Sequence, residues 1–492
     1  MNSKYLFIVC IATPFLLGAS LFGNKSDVRA IDDLPSPYKA SPLAIGAQND
    51  INNRFVVQDP APVAELEAYL NNKLSMIKKS VGMESVPGRV VLTASPSLNA
   101  ITSADGNIFV GIGFILNLST EDEIIALLSH EFAHAVFNHT SSDIVAKSQQ
   151  NLINLTNQAN SFSQKFGGVI GATTGTNTND INKYLRNADL TLQVTKTVIL
   201  PAWQREQETQ ADFLAIDITQ KLGYSYSRGV KSFLELLQVE DEQERQLRQA
   251  KKKEYEENFA ASLGESDNKS EATTAIKGLG LSMQGMFEGI FAKSHYTAAK
   301  RLDKCNDYYE QHYGDEGKYK QKTTVHEKEW AAVRARGSIK SSLDSYKSTF
   351  EADDRLDVLE YPRGLELINK SGKSLITNHP YRIYVLARAY ILNGDYARFE
   401  QTTNQAVKSG QPSWRLVQLN ADYELSKGNR ERATLIYEQE FNRRGKPINA
   451  MPDMHEIYVK TGNSNKANQM QMQCQFGEGK NSKECTKGKG KK

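Results

Sequence analysis

The sequence predicts an α+β, mostly helical protein, with a small β-sheet in its first half and an α-helical repeat domain in its last third. Two observations lead to this fold class. Short β-branched runs such as Val90–Thr93 lie among longer segments with helical apolar spacing, and a 34-residue repeat occurs near the C-terminus. A chain of 492 residues is also long enough for two or three domains.

One predicted helix carries the most informative motif, in which His130 and Glu131 are followed by His134. Thr120 and Glu123 predict a capping box that begins this helix. Residues four apart share a helix face, so the two imidazoles can bind one ion, while Glu131 beside them can act as a general base. The motif is typical of a zinc peptidase. Core histidines that only form hydrogen bonds are the alternative, but they would leave an interior glutamate without a partner.

A second helix is expected to complete the site, because a catalytic zinc usually has three protein ligands and one open position. Glu208 and Asp212 are also four residues apart. One carboxylate can bind the metal while the other orients a ligand imidazole through its second ring nitrogen. Taken alone, this spacing equally fits a solvated helix face, so the prediction depends on the two motifs together.

The paired motifs resemble the zinc metallopeptidase family that includes the heat-shock membrane protease HtpX and the CAAX prenyl protease. The resemblance rests on the first motif with Asn138-His139 behind it and on Arg205-x-x-Glu208-x-x-Ala211-Asp212. It covers roughly residues 50 to 240 and is greatest to the periplasmic, beta-barrel assembly-enhancing type, which carries tetratricopeptide repeats. It implies a zincin-type metallopeptidase domain with one Zn²⁺ per chain. The implied ligands are His130, His134 and Glu208, with Glu131 as general base and Asp212 supporting a ligand.

Two other histidines need separate interpretation. His139 lies nine residues after His130, on the opposite face if the helix continues, so we expect it to contact the helix C-terminus or a neighbouring loop. His295 is considered because the family carries a His-Pro element followed by an arginine. Here Tyr296 replaces the proline, and Arg301 follows. The resemblance implies that His295 approaches the zinc, where it would stabilise an oxyanion or occupy the open coordination position. Because Tyr296 departs from the family pattern, the alternative is that His295 lies away from the zinc.

Substrate binding is expected at a strand before the motif helix. Val90–Thr93 and Asn107–Ile112 are predicted strands, with Gly106 as a turn residue. A peptide can add to an exposed strand edge through main-chain hydrogen bonds. By resemblance, the substrate-binding strand is the one from Gly106 to Val110, which includes Ile108.

The N-terminal residues 1–30 predict a signal peptide, because Lys4 precedes an apolar run from Leu6 to Gly23. Cleavage fits after Ser20 or after Ala30, and the length of the run also fits an uncleaved signal anchor. We therefore expect export to the periplasm. In that oxidising compartment Cys474 and Cys485 would most simply form a disulfide, with Cys305 left over.

The remaining boundaries follow composition. Residues 31–53 are polar and predicted as loop, and the peptidase domain is expected over 54–310. It contains an insertion at 140–202, interpreted either as a lid or membrane-contacting finger or as a passive surface excursion, and a charged linker at 239–277. Linker helices at 311–350, repeats at 351–470 and a basic tail at 471–492 complete the chain.

The repeat is a set of positions that recur at an offset of 34 residues. Ala387, Ile391, Gly394 and Asp395 recur as Ala421, Leu425, Gly428 and Asn429. This period is typical of tetratricopeptide repeats, which bind extended segments or partner proteins on a concave face. A plain helical bundle is the alternative.

With the resemblance, these features predict an exported zinc-dependent endopeptidase that hydrolyses unfolded or misassembled envelope proteins. The repeats would dock clients or the outer-membrane assembly machinery. A chaperone or scaffold with a latent or suppressed zinc site is the alternative. A purely structural zinc site is disfavoured because such sites usually have four protein ligands and favour cysteine. The net charge of +3, without a basic stripe, predicts no nucleic-acid partner.

Overall fold

The computed structural model describes residues 28–139, 205–239, 298–314, 327–370, 379–410 and 412–476. Within these ranges the chain is mostly helical and contains one three-stranded sheet. Most of the expected signal peptide, the insertion at 140–202, nearly all of the charged linker and His295 lie outside the described residues. No helix in the described ranges is long and apolar enough to cross a membrane.

The described residues between 28 and 314 contain the elements that position the predicted site. We call them the peptidase half, after the domain that the sequence predicts there. Its helices, after a 3₁₀ turn at Ala30–Asp33, are α1 (Ala47–Val57), α2 (Ala64–Ser80), α3 (Ile112–Asn117), α4 (Glu121–Val136), α5 (Arg205–Lys221) and α6 (Ala298–Tyr313). Its strands are β1 (Val90–Thr93), β2 (Ala100–Thr102) and β3 (Ile108–Gly111). A π-helical turn at Ser227–Lys231 follows α5.

The sheet has the order β1-β3-β2, so β3 is its central strand. β1 runs parallel to β3, and β2 runs antiparallel on the other side. This contradicts the expectation that the strand from Gly106 to Val110 offers a free edge: Ile108 and Val110 lie between two paired strands. Gly106 is a turn residue, as predicted, with a φ of +73° and no room for a Cβ atom against the Pro87 carbonyl. Among the described strands, β2 lies at the edge beside β3.

Helix α1 corrects the expectation that residues 31–53 form only loop. Ile51 and Phe55, one helical turn apart, pack on the sheet face that carries Val91, Ile101 and Phe109. The surrounding asparagines and Asp50 make this segment polar in composition. Two apolar residues, Ile51 and Phe55, are too few to predict an amphipathic helix from the sequence. They are nevertheless the residues through which α1 packs on the sheet.

Helix α4 is buried along its whole length, in contact with α2, α5 and the sheet. Both hydrogen bonds of the predicted capping box are present, between Thr120 and Glu123. Glu121 is also buried and accepts hydrogen bonds from Tyr69, Tyr224 and Lys73. A charged first turn can be buried here because each carboxylate has partners, and acidic groups at a helix N-terminus are favourable.

The stretch expected to link the two halves packs against the peptidase core. Helix α7 (Glu327–Arg334) inserts Trp330, which stacks on Tyr69 and donates from its indole to the Leu118 carbonyl at 2.9 Å. The helices that follow form successive pairs. They are α8 (Gly337–Asp357) with α9 (Tyr361–Lys370), α10 (Pro380–Leu392) with α11 (Tyr396–Lys408), α12 (Trp414–Ser426) with α13 (Arg430–Arg443), and α14 (Met451–Lys460) with α15 (Ser464–Phe476).

Glycines mark the 34-residue period in the last three pairs. Gly394, Gly428 and Gly462 follow the first helix of their pairs with φ of +76°, +81° and +79°. Left-handed backbone of this kind ends a helix and favours glycine. Gly462 extends the period by one unit beyond the two found in the sequence. We refer to α8–α15 below as the helix-pair region.

The helix-pair region contacts the peptidase half at α1 and at the segment that follows it, among other places. Arg415 forms a buried ion pair with Asp59. Arg444 donates to the Phe55 carbonyl at 3.2 Å, and Asn449 donates to the Asn53 carbonyl at 3.0 Å. Helix α1 is therefore held between the sheet on one side and the helix pairs on the other.

Candidate metal centre

Three side chains from α4 and α5 converge as the sequence predicts. His130 Nε2 and His134 Nε2 are 3.2 Å apart, and each lies 3.7 Å from a Glu208 carboxylate oxygen. The three residues are 3%, 0% and 0% exposed. Ligand atoms held at about 2.1 Å by a tetrahedral ion are roughly 3.4 Å apart. The cluster therefore has the size and the donor chemistry of a zinc site.

Asp212 orients His130 from the other side of the ring. His130 Nδ1 lies 2.9 Å from Asp212 Oδ1, so Nδ1 carries the hydrogen and Nε2 presents its lone pair. Burial opposes ionisation of Asp212, but the Arg301 guanidinium holds the pKa of this carboxyl below its usual value. The pKa of His130 is lowered by burial but raised further by Asp212, with a net increase. Asp212 thus has the supporting place that the resemblance implied.

Arg301, on α6, joins the two carboxylates. Its Nε and Nη2 donate to Asp212 at 2.8 and 2.7 Å, and Nη1 lies 2.7 Å from Glu208 Oε2. The guanidinium is almost fully buried. A fork of this shape fixes the position of both carboxylates and balances part of their charge. In the sequence Arg301 was notable only for following His295.

His139 makes a closer contact with the site than the sequence suggested. Helix α4 ends at Val136, and Asn138 has a φ of +58°, so the chain turns back instead of continuing along the helix. His139 Nδ1 then lies 2.8 Å from His134 Nδ1, and His139 Nε2 lies 3.1 Å from Gln210 Oε1. His139 is therefore a partner of a ligand. Our expectation of a contact only with a loop or helix end was wrong, because it assumed a continuing helix.

This chain of contacts fixes the hydrogens on the rings. The Gln210 carbonyl oxygen accepts from His139 Nε2, so His139 Nδ1 accepts from His134 Nδ1, and His134 Nε2 is left with a lone pair. Burial lowers the pKa of His139 to about 4 and that of His134 well below its usual value, so both rings are neutral. The Nε2 atom of His130 lies 3.2 Å from the His134 nitrogen that carries this lone pair. Both nitrogens can therefore bind one cation placed between them, with the Glu208 carboxylate as the third ligand.

Glu131 lies beside the ligands and is held by the edge strand. Thr102 Oγ1 is 2.8 Å from Glu131 Oε2 and 2.7 Å from the Glu131 carbonyl oxygen. The hydroxyl fixes the side chain of the expected general base. No motif in the sequence indicates Thr102, because the contact joins residues from a strand and a helix that only the fold brings together.

The three cysteines of the predicted mature chain and His295 remain to be located. Cys305 is a buried free thiol on α6, and burial raises its pKa well above the usual value, so it is unreactive. Cys474 falls in α15 and Cys485 beyond it. The side chain of Cys474 and the whole of Cys485 and His295 are outside the described residues, so the disulfide and the approach of His295 stay predictions.

Comparison with known proteins bears on the part of the chain that holds the cluster. A search of curated proteins found no matching protein. A family model described as Peptidase family M48 matches residues 64–307. The matched range includes both helices of the metal cluster, the sheet and Arg301, and it ends within α6. Residues 64–307 are therefore similar to Peptidase family M48, and the cluster of His130, His134 and Glu208 is compatible with a metallopeptidase.

Proposed function

We propose that this protein is a zinc-dependent endopeptidase. The observation that carries the proposal is the convergence of two imidazole nitrogens with the Glu208 carboxylate, while Glu131 lies next to them. His130, His134 and Glu208 would hold the metal. Bound zinc would supply a Lewis acid that polarises the scissile carbonyl and lowers the pKa of water.

Glu131 would perform the proton transfers. Its carboxylate takes a proton from the attacking water as the water oxygen bonds to the carbonyl carbon, and returns that proton to the nitrogen as the C–N bond breaks. Thr102 keeps this carboxylate in one orientation through the 2.8 Å contact with Oε2. Fixed orientation matters because proton transfer needs a donor and acceptor within hydrogen-bond reach.

The edge strand β2 would bind the substrate. Ile101 faces Phe109 in a hydrogen-bonded pair, since on one side the Gly111 amide donates to the Asn99 carbonyl and on the other the Ser103 amide donates to the Asn107 carbonyl. In antiparallel pairing the alternate residues, Ala100 and Thr102, point their main-chain groups away from β3. An extended peptide paired there would pass next to Glu131, because Thr102 contacts both. Unfolded segments can adopt this extended form, whereas folded proteins cannot.

The wider role we propose is quality control of envelope proteins after export. The predicted signal peptide supports the location, and the 34-residue helix pairs support docking of client proteins or assembly partners. Contacts between the helix pairs and α1, which covers the sheet, support a docking surface close to the substrate strand.

The test compares the wild-type protein with Glu131→Gln on an unfolded model protein, with bound zinc measured in both. We expect equal zinc and a rate at least about 100-fold lower in the variant, because only the proton-transfer group changes. Glu208→Gln serves as the control that loses zinc. Equal cleavage by wild type and Glu131→Gln, or no zinc in the wild type, contradicts the proposal. Suppressed aggregation without cleavage in both proteins would favour a chaperone.

A further inference from the structure

The backbone around residue 31 is anchored in the peptidase half by two amide hydrogen bonds. The Ile31 amide donates to Asp217 Oδ2 at 2.8 Å, and the Ala30 amide donates to the Tyr308 hydroxyl at 2.8 Å. Both acceptors are buried, Asp217 on α5 and Tyr308 on α6. The N-terminal segment is thus attached by its main-chain nitrogens to two helices that carry residues of the metal centre.

Asp217 is a carboxylate in a site with little water, 1% exposed. Its donors in the described structure are neutral: the Ile31 amide and the hydroxyls of Tyr308 and Tyr313, the latter two both at 2.9 Å. The nearby cation, Arg29, pairs with Asp32 and also acts on Asp217, since its positive charge lowers the pKa of that carboxyl. Burial raises the pKa of Asp217 to about 6, so keeping the group ionised is costly in this environment. A positive charge at the Ile31 nitrogen would offset this cost.

The sequence before Ile31 has the pattern that precedes leader cleavage. Val28 and Ala30 place small residues at the third and first positions before it. Hydrolysis of the bond between Ala30 and Ile31 by a leader peptidase consumes one water. It leaves a carboxylate on Ala30 and an amine on Ile31, which is protonated at neutral pH because its pKa is about 8. That amine is the nitrogen already located 2.8 Å from Asp217.

We propose that leader removal makes Ile31 the N-terminus of the mature protein and that its ammonium forms a buried ion pair with Asp217. The pair replaces a neutral hydrogen bond with a charge-assisted one. Asp217 lies on the same helix as Glu208 and Asp212, and Tyr308 lies on the same helix as Arg301. The cut removes Arg29 and the Ala30 amide bond to Tyr308, and it leaves the Ile31 ammonium beside Asp217, which the Tyr308 hydroxyl also contacts. The new charge therefore lies where the helix that carries Glu208 meets the helix that carries Arg301. The proposal stands or falls independently of peptidase activity, because a mass and an unfolding temperature measure it.

The first experiment determines the N-terminus. The full chain is produced in a bacterium that exports it, and the purified protein is measured by intact mass and by N-terminal sequencing. We expect a chain that begins at Ile31. A chain that begins after Ser20, or one that retains the leader, overturns the proposal.

The second experiment tests the ion pair by a double-mutant cycle. Proteins that begin at Ile31 are compared with proteins that keep Ala30 in front, which moves the amine by one residue. Each form is made with Asp217 and with Asp217→Asn. We expect the extra residue to lower the melting temperature by about 3 °C or more with Asp217 and by much less with Asp217→Asn. Equal shifts in the two backgrounds overturn the ion pair.

A chemical readout covers the case in which Asp217→Asn does not fold. Cyanate carbamylates α-amines near neutral pH in their unprotonated form. A buried, paired Ile31 ammonium should react at least about tenfold more slowly than the displaced amine of the form that keeps Ala30. Equal rates for these two folded proteins contradict the proposal.

Discussion

The peptidase half and the helix-pair region both bury charged and polar groups, but they do so in different ways. In the helix-pair region the buried charged and ring groups pair with one another: Arg388 is paired with Asp353 and Asp357, and His379 lies against the Tyr346 hydroxyl. In the metal centre the supporting contacts hold the outer nitrogens of the rings, and they leave the Nε2 atoms of His130 and His134 directed at one place. Burial of polar residues therefore does not identify a site. A metal site is identified by supporting contacts that direct several metal-binding atoms to one point.

The largest effect is expected from removing a ligand. Glu208→Gln keeps the shape of the side chain but loses its charge. Zinc affinity should fall by more than the 10- to 100-fold that is typical of a lost supporting contact. A competition titration with a chromogenic chelator measures this. Asp353→Asn, in the helix-pair region, is the matched control and should leave zinc affinity unchanged; a similar loss in both would break the distinction between the two regions.

His139 tests whether a supporting contact fixes the hydrogen on a ligand ring. His139→Ala removes the acceptor that holds His134 Nδ1, so zinc affinity should fall by roughly 10- to 100-fold. His139→Gln can place an amide oxygen near His134 and should recover part of that loss. Both variants are assayed for zinc affinity and for the visible spectrum of the Co²⁺ form, which reports ligand geometry. Equal affinity for wild type and His139→Ala would show that the contact has no role.

His379 tests the comparison in the helix-pair region, through the pH dependence of its stability. Burial lowers the pKa of His379 to about 3, below its usual value, so the folded state resists protonation that the unfolded state accepts below pH 6.5. Stability is thus complete above pH 6.5 and declines as pH falls. Between pH 7 and pH 5 the free energy of unfolding should drop by roughly 2 kcal/mol from this group.

Hydrogen exchange of α10 between pH 7 and pH 5, corrected for intrinsic rates, measures that decline. In His379→Gln the decline should be smaller by the same amount, because no imidazole remains to be protonated. An unchanged pH dependence would mean that His379 does not carry the effect.

The smallest effect is expected at Thr102. Thr102→Val keeps the β-branched shape but removes the hydroxyl that contacts Glu131, so kcat should fall by about tenfold, in line with a lost hydrogen bond to a charged group. Zinc content should not change, since no ligand is touched. Thr102→Ser retains the hydroxyl and should keep most of the rate. Loss of zinc in Thr102→Val would indicate a general distortion of the centre.

Local patterns in the sequence were sufficient for much of the centre. The spacing of His130 and His134, and of Glu208 and Asp212, depends only on helical geometry, and the capping box of Thr120 and Glu123 lies within a single helical turn. The same holds for the glycines of the 34-residue period.

Contacts between distant segments could not be predicted in this way. Thr102 meets Glu131 only after the sheet has formed, and Arg301 reaches Asp212 from a helix about 90 residues away. His139 was misplaced because the end of α4 depends on the left-handed backbone of Asn138. The position of β3 at the centre of the sheet likewise follows from strand order, which alternation of side chains does not reveal.

Helix α1 has a practical consequence for dividing the molecule. A boundary at residue 54, suggested by composition, would cut this helix between Ile51 and Phe55, the two residues that seat it on the sheet. The same cut would remove Asn53, to which Asn449 is hydrogen-bonded. A truncated protein that starts at residue 54 would therefore lose both the packing of α1 on the sheet and a contact between α1 and the helix-pair region. The two parts are therefore not independent modules. A transfer of the helix-pair region to another peptidase would have to include α1.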